Sequence, residues 1–152
     1  MSKDMTWQLL DAARSVLVHG GATATLALAP ASLAQRCWPQ GRPRPVDLEH
    51  AIDQVEDTIE RAGLKHEERG TLWLDGSLAH LLLAWLPALP GSGCPRDRVE
   101  AVFTSSVAQV HAGQTDNASG QAVAALLMLR ELMHHLGFQN VAVASRIDEG
   151  TP

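Results

Sequence analysis

The chain has no tyrosine and only two phenylalanines among its 152 residues, so its 4% aromatic content rests mainly on four tryptophans. Sheet sandwiches draw on aromatic and β-branched residues, and this scarcity argues against an all-β architecture. The apolar set is dominated instead by leucine and alanine, which suits closely packed helices. Cysteine is nearly missing too: Cys37 and Cys94 are the only two, too few for a disulfide scaffold and without the paired spacing of a zinc site. Reduced thiols are expected. Basic residues are in the minority, with 12 Lys and Arg against 17 Asp and Glu, a formal charge of −5 and a pI near 5.7. Nucleic-acid binding depends on clustered cations that displace counterions, so no nucleic-acid partner is expected.

A long apolar run is also lacking. The most apolar stretch, Leu72 to Leu89, is broken by Asp75, His80 and Pro87, and falls short of the roughly 20 residues that a bilayer span needs. No membrane partner is expected, and the stretch reads as a buried helix. The opening MSKDMTWQLL carries Asp4 and no apolar core after its lysine, so it does not read as a secretory signal and the expected location is cytoplasmic. The glycosylation pattern at Asn117-Ala118-Ser119 carries no weight without such a signal. No longer period repeats, which excludes a solenoid.

What is present is mostly helical signal. Between Asp4 and Val18 the residues Met5, Leu9, Ala12, Ala13, Val16 and Leu17 fall on one side of a helix, with Gly20-Gly21 as its stop. Residues 23–29, TATLALA, alternate as a short strand. Pro30 can open a short helix, and residues 39–45, PQGRPRP, form an internal linker. From Val46 to Leu64 the residues Leu48, Ala51, Ile52, Val55, Ile59 and Ala62 make an apolar stripe, with Asp47 as a capping candidate, a Val46–Ala51 staple around it and Gly63 as the stop. The run TLWLDGSLAHLLLAWL, residues 71–86, is apolar nearly all round and reads as a central helix. Residues 95–111 give another amphipathic helix through Val99, Val102, Phe103, Val107 and Val110. A last long helix runs from Ala122 to Leu136 and stops at Gly137. Residues 139–147 alternate again as a strand, and 148–152 form a frayed tail.

The expected fold is therefore α+β, predominantly helical, with about five main helices in a single domain over residues 1–147. Residues 23–29 and 139–147 pair in a small two-stranded element; an all-α fold is the alternative.

Candidate chemistry is sparse. Glu131-Leu-Met-His134 has the spacing used in carboxylate-bridged metal pairs, but its nearest complement is Asp47-Leu-Glu-His50. On helical wheels Glu131 and His134 fall with Arg130 and His135 away from the apolar stripe, so no metal site and no cofactor are expected. His80 interrupts an apolar helix, which makes it a candidate for burial and for general-base chemistry. The turn Leu74-Asp75-Gly76-Ser77 reads as a helix cap. The loop Gly91-Ser92-Gly93-Cys94-Pro95-Arg96 places Cys94 at a helix start near Arg96 and Arg98, where the macrodipole favours thiolate. Cys94 and His80 are thus the catalytic candidates, and Gly93, Arg96 and Arg98 the anion-binding ones.

With no convergent catalytic set, the chain reads as a cytoplasmic interaction or accessory protein that self-associates or binds a protein partner. The alternative is a small enzyme or ligand-binding protein using His80 or Cys94.

Overall fold

The computed structural model describes residues 3–90, 92–113 and 119–144. In chain order the elements are β1 (Met5–Leu9), β2 (Ser15–His19), β3 (Ala22–Leu26), α1 (Pro30–Cys37), α2 (Pro45–Arg61), β4 (Arg69–Leu74), α3 (Gly76–Leu82), β5 (Cys94–Pro95), α4 (Arg96–His111), α5 (Gly120–Leu136) and β6 (Phe138–Val143). The strands form one six-stranded sheet in the order β3-β2-β1-β4-β6-β5. β1, β2 and β3 pair antiparallel, β1, β4 and β6 run parallel, and β5 closes the far side antiparallel to β6.

The helix expected over residues 4–18 is instead the β1–β2 hairpin. Met5 and Trp7 point into the core while Gln8 faces out, the period-two signature of a strand. Asp11 makes the reversal between them: its Oδ1 accepts the N–H groups of Ala13 and Arg14 at 2.8 and 2.9 Å. Gly20-Gly21 does not stop a helix. It is the two-residue turn between β2 and β3, with His19 opposite Ala22 and Gly20 at a φ of +58° that favours glycine.

The two-stranded element is likewise replaced by the larger sheet. The strand read in residues 23–29 is found as β3, but β2, β1 and β4 separate it from β6, so the two expected partners do not meet. The strand read in 139–147 begins at Phe138 and is described to Val143; the part from 145 on, with the tail 148–152, lies outside the described residues. The central helix read over 71–86 is half strand. Arg69–Leu74 is β4, flanked on both sides by parallel neighbours, and such a strand needs apolar side chains on both faces. Only Gly76–Leu82 is helical, capped by Asp75, whose Oδ1 accepts the Leu78 N–H at 2.8 Å.

The remaining helices agree with the sequence patterns. Leu48, Ala51, Val55 and Ile59 of α2 are buried, and Ile52 and Ala62 pack against the core. Pro45 takes the first turn of α2, and Asp47 receives the Arg44 backbone N–H at 2.9 Å and the Arg44 guanidinium at 3.0 Å. That pairing holds the buried Asp47 carboxyl below its ordinary value. Val46, expected to staple the cap, is exposed. α4 buries Val99, Phe103 and Val110, with Pro95 as its N-cap residue just before the first turn.

α5 is the centre of the assembly. Ala122 to Leu129 are all buried, as are Glu131, Leu132, Met133 and Leu136, and each of the other four helices packs against it. Ser119 caps its start, and two indoles fasten its first turn, Trp38 donating to the Gly120 carbonyl at 3.0 Å and Trp85 to that of Ala122 at 2.9 Å. At its other end Arg69 donates to the Leu136 carbonyl at 2.9 Å, a buried cation at the negative pole of the helix. Gly137 turns the chain into β6 at a φ of +90°, and a side chain there would overlap the Glu67 carbonyl.

Two measurements check this packing. Ile59→Ala is expected to lower unfolding stability by about 2–5 kcal/mol through lost burial and a residual cavity, read as a shifted denaturation midpoint. Asp47→Ala is expected to cost about 1–2 kcal/mol at neutral pH. Because the folded-state pKa of Asp47 is lowered, its contribution is present above the unfolded carboxyl value and lost as pH falls through the folded one. The stability gap between the two proteins should therefore begin to close as pH falls below about 4 and vanish only below the lowered folded-state value.

Candidate functional cleft

In open sheets with parallel strands, ligands bind outside the carboxyl ends of those strands. Here the ends are Leu9 of β1, Leu74 of β4 and Val143 of β6. Asp75 ties the first two together: its N–H donates to the Trp7 carbonyl at 3.1 Å, and its Oδ2 accepts the Leu9 N–H at 2.7 Å. Beside this junction lies a cleft of about 500 Å³, lined by Leu9, Leu10, Asp11, Ala12, Ala29, Pro30, Ala31, Ser77, Leu81 and Gln121. A shallower hollow, lined by Leu9, Gly76, Ser77, His80, Leu81 and Gln121, shares four of those residues.

His80 is thus at the carboxyl edge of the sheet, as a candidate functional residue should be, but it is exposed and not buried in a helix core. The core side of α3 is carried by Leu78, Ala79 and Leu82, which turns His80 outward. Asp11 stands at the cleft rim. Arg14 donates to its Oδ2 at 2.8 Å and, with the Ala13 N–H, holds the carboxyl below its ordinary value. The N–H groups of this turn are therefore already committed. A phosphate in the cleft would meet a carboxylate and no lysine or arginine among its lining residues.

The thiol reading changes with the structure. Cys94 is not an exposed cap: it sits in β5 opposite Val141 and is 3% exposed. Burial pushes its thiol up, with nearby Arg98 only partly opposing. Gly93, expected in an anion-binding turn, is buried with its backbone against β6, where a Cβ would lie 2.7 Å from the Val141 carbonyl. Pro95 has no N–H to offer an anion. Arg96 is half-buried, Arg98 is exposed, and neither lines the two hollows above. The candidates Cys94 and His80 are on different elements, and of the two His80 lines the hollow that adjoins the cleft while Cys94 lines neither.

The helical wheels also misplace Glu131. It is fully buried on α5, bonded to Arg130 and, at 3.1 Å, to Nε2 of His135, which also reaches Glu56 of α2 at 3.2 Å. His134 and His50 are exposed, as their faces predict. A separate groove of about 550 Å³ between β3 and α2 is lined by Thr25, His50, Asp53, Asp57 and Arg61 among others, but Arg61 is paired with Asp57 at 3.0 Å. Among the described residues no helix is long and apolar enough to cross a membrane.

An antiparallel three-strand meander leading into parallel strands, with helices between them, gives the described residues an α+β fold of five helices and one six-stranded mixed sheet. Solved structures that it resembles include Ppx/GppA proteins. It aligns with the Aquifex aeolicus PPX-GPPA enzyme at a TM-score of 0.66 and 9% identity, over 93% of this chain and 53% of that one. The type II variant of the Aquifex aeolicus Ppx/GppA phosphatase gives 0.66 and 10% over the same shares. An exopolyphosphatase-like protein gives 0.66 and 10%, over 95% of this chain and 56% of that one. The chain therefore spans about half the length of the structures it matches, and the likeness is one of fold. No protein-family model matches the sequence, and no curated protein matches it.

Thiol accessibility gives a direct check. Cys37 is half-buried and Cys94 is buried. A limiting alkylating reagent at neutral pH should modify Cys37 first, with Cys94 reacting mainly after unfolding, as mapped by mass spectrometry. Preferential labelling of native Cys94 would contradict its place in β5.

Proposed function

We propose that this chain is an interaction domain, self-associating through the carboxyl edge of its sheet. The observation that carries the reading is the apolar character of that edge. Leu10, at the tip of the β1–β2 turn, is 52% exposed, and Leu83, just past α3, is 38% exposed. Between the two elements the cleft is lined by Leu9, Ala12, Ala29, Pro30 and Leu81, with Asp11 already paired to Arg14. Apolar side chains grouped around a concave surface gain from being covered by a partner.

Hydrolysis of phosphate compounds, as the names of the matched proteins suggest for them, has less support. The turn's N–H groups are bound to Asp11, and among the described residues lining the cleft and its adjoining hollow the one basic side chain is His80. A second reading, a small-ligand site, is favoured by one observation: His80, Ser77 and Gln121 line one hollow at the carboxyl edge, and His80 makes no hydrogen bond or ion pair among the described residues.

Sedimentation equilibrium tests the first reading. The expected result is a concentration-dependent dimer whose dissociation constant rises about tenfold or more in Leu10→Arg, a change at an exposed turn that leaves the core intact. A monomer throughout the high-micromolar range removes the proposal. A dimer unaffected by Leu10→Arg and by Leu83→Glu moves the interface elsewhere.

A further inference from the structure

Glu131 takes no part in the cleft, yet it is a carboxylate with no exposed surface on the most buried helix of the protein. His135 follows it by one helical turn, so both side chains project from the same side of α5. Its Nε2 lies 3.1 Å from Glu131 Oε1 and 3.2 Å from Glu56 Oε2, which is contributed by α2. All three atoms lie within 4.8 Å of one another. The second oxygen of Glu131 pairs with Arg130, which also reaches Glu100 at 3.2 Å and lies over the Phe103 ring, 5.3 Å from its centroid. Burial opposes the charge on Arg130, but pairing with Glu131 and Glu100 outweighs it and raises its pKa.

Two features of this arrangement point to a cation. One ring nitrogen carries at most one proton, whereas two carboxylate oxygens converge on it, so a single N–H serves both only as a shared, weakened bond. The surrounding groups are also rich in carboxylate: Glu100 and Glu131 share the guanidinium of Arg130, while Glu56 and Glu131 meet at the single imidazole nitrogen of His135. A tetrahedral ion with bonds of about 2.0–2.1 Å sets its donor atoms roughly 3.3 Å apart. The nitrogen-to-oxygen separations observed are close to that edge.

We propose that Glu56, Glu131 and His135 form a binding site for a divalent transition metal of the zinc class, one imidazole nitrogen and two carboxylate oxygens joining α2 to α5. Two carboxylates and an imidazole suit such an ion. Glu131 is fixed from behind by Arg130, which orients its free oxygen toward the site. Glu56 and His135 are 44% and 35% exposed, so the fourth position opens to solvent. The helical wheels put Glu131 and His135 on one side of α5 but treat each helix alone, so they do not bring Glu56 to them. Docking α2 on α5 assembles the set.

Calorimetric titration of metal-stripped, untagged protein with Zn2+, paired with thermal melts, is the test. The expected result is one equivalent bound and a raised melting temperature. Glu56→Gln and His135→Ala should each weaken binding about tenfold or more, while His134→Ala, its exposed neighbour, should leave binding unchanged. Glu56 is an exposed position on α2, so Glu56→Gln is expected to fold as the parent does, with circular dichroism as the check. No saturable binding by the parent overturns the proposal. So does binding that survives both Glu56→Gln and His135→Ala, or that is lost in His134→Ala alone.

Discussion

The fold depends on a helix with almost no solvent-facing side. From Ala122 to Leu129 every residue of α5 is buried, so the helix exists as a folded element only when something covers it all round. Backbone hydrogen bonding is satisfied within such a helix, but its apolar circumference is costly in water and its ends still carry unpaired groups. The other four helices cover the circumference. The ends are met by Ser119 and two indoles at one pole, and by Arg69 at the other. Since Arg69 opens β4 and Gly137 leads into β6, seating α5 also sets where two parallel strands begin.

The sequence made some of this legible and concealed the rest for physical reasons. The α2 stripe through Leu48, Val55 and Ile59 has one apolar side and a stop at Gly63, so period and punctuation agree. The α5 run is long enough that no strand could compete. The hairpin strands β1 and β2 were hidden because Met5, Leu9, Val16 and Leu17 satisfy a helical spacing by coincidence, while the deciding evidence is the Asp11 turn and the Gly20-Gly21 turn. β4 was hidden because a strand buried on both faces loses the alternation that identifies strands.

The candidate sites divide in the same way. His80 could be singled out as a polar interruption, but its direction depends on α3 being short, which follows from β4 ending at Leu74. The loop around Cys94 looked like a helix cap because Pro95 precedes a genuine helix. What removed it from solvent was a pairing with Val141 from a distant part of the chain. Glu56 and His135 are 79 residues apart, and no periodicity within either helix announces their meeting.

The missing tyrosines have an optical consequence. With no phenol to contribute, near-ultraviolet emission comes essentially from indoles, and the four of them occupy distinct settings. Trp7 is enclosed in the sheet core, its indole N–H without an acceptor among the described residues. Trp73 donates to Asp4 at 3.2 Å, across the β1–β4 pair. Trp38 and Trp85 both donate to the first turn of α5. The native fluorescence of this protein is therefore a built-in gauge of how its central helix is seated, with two of the four emitters hydrogen-bonded to the element that orders the rest.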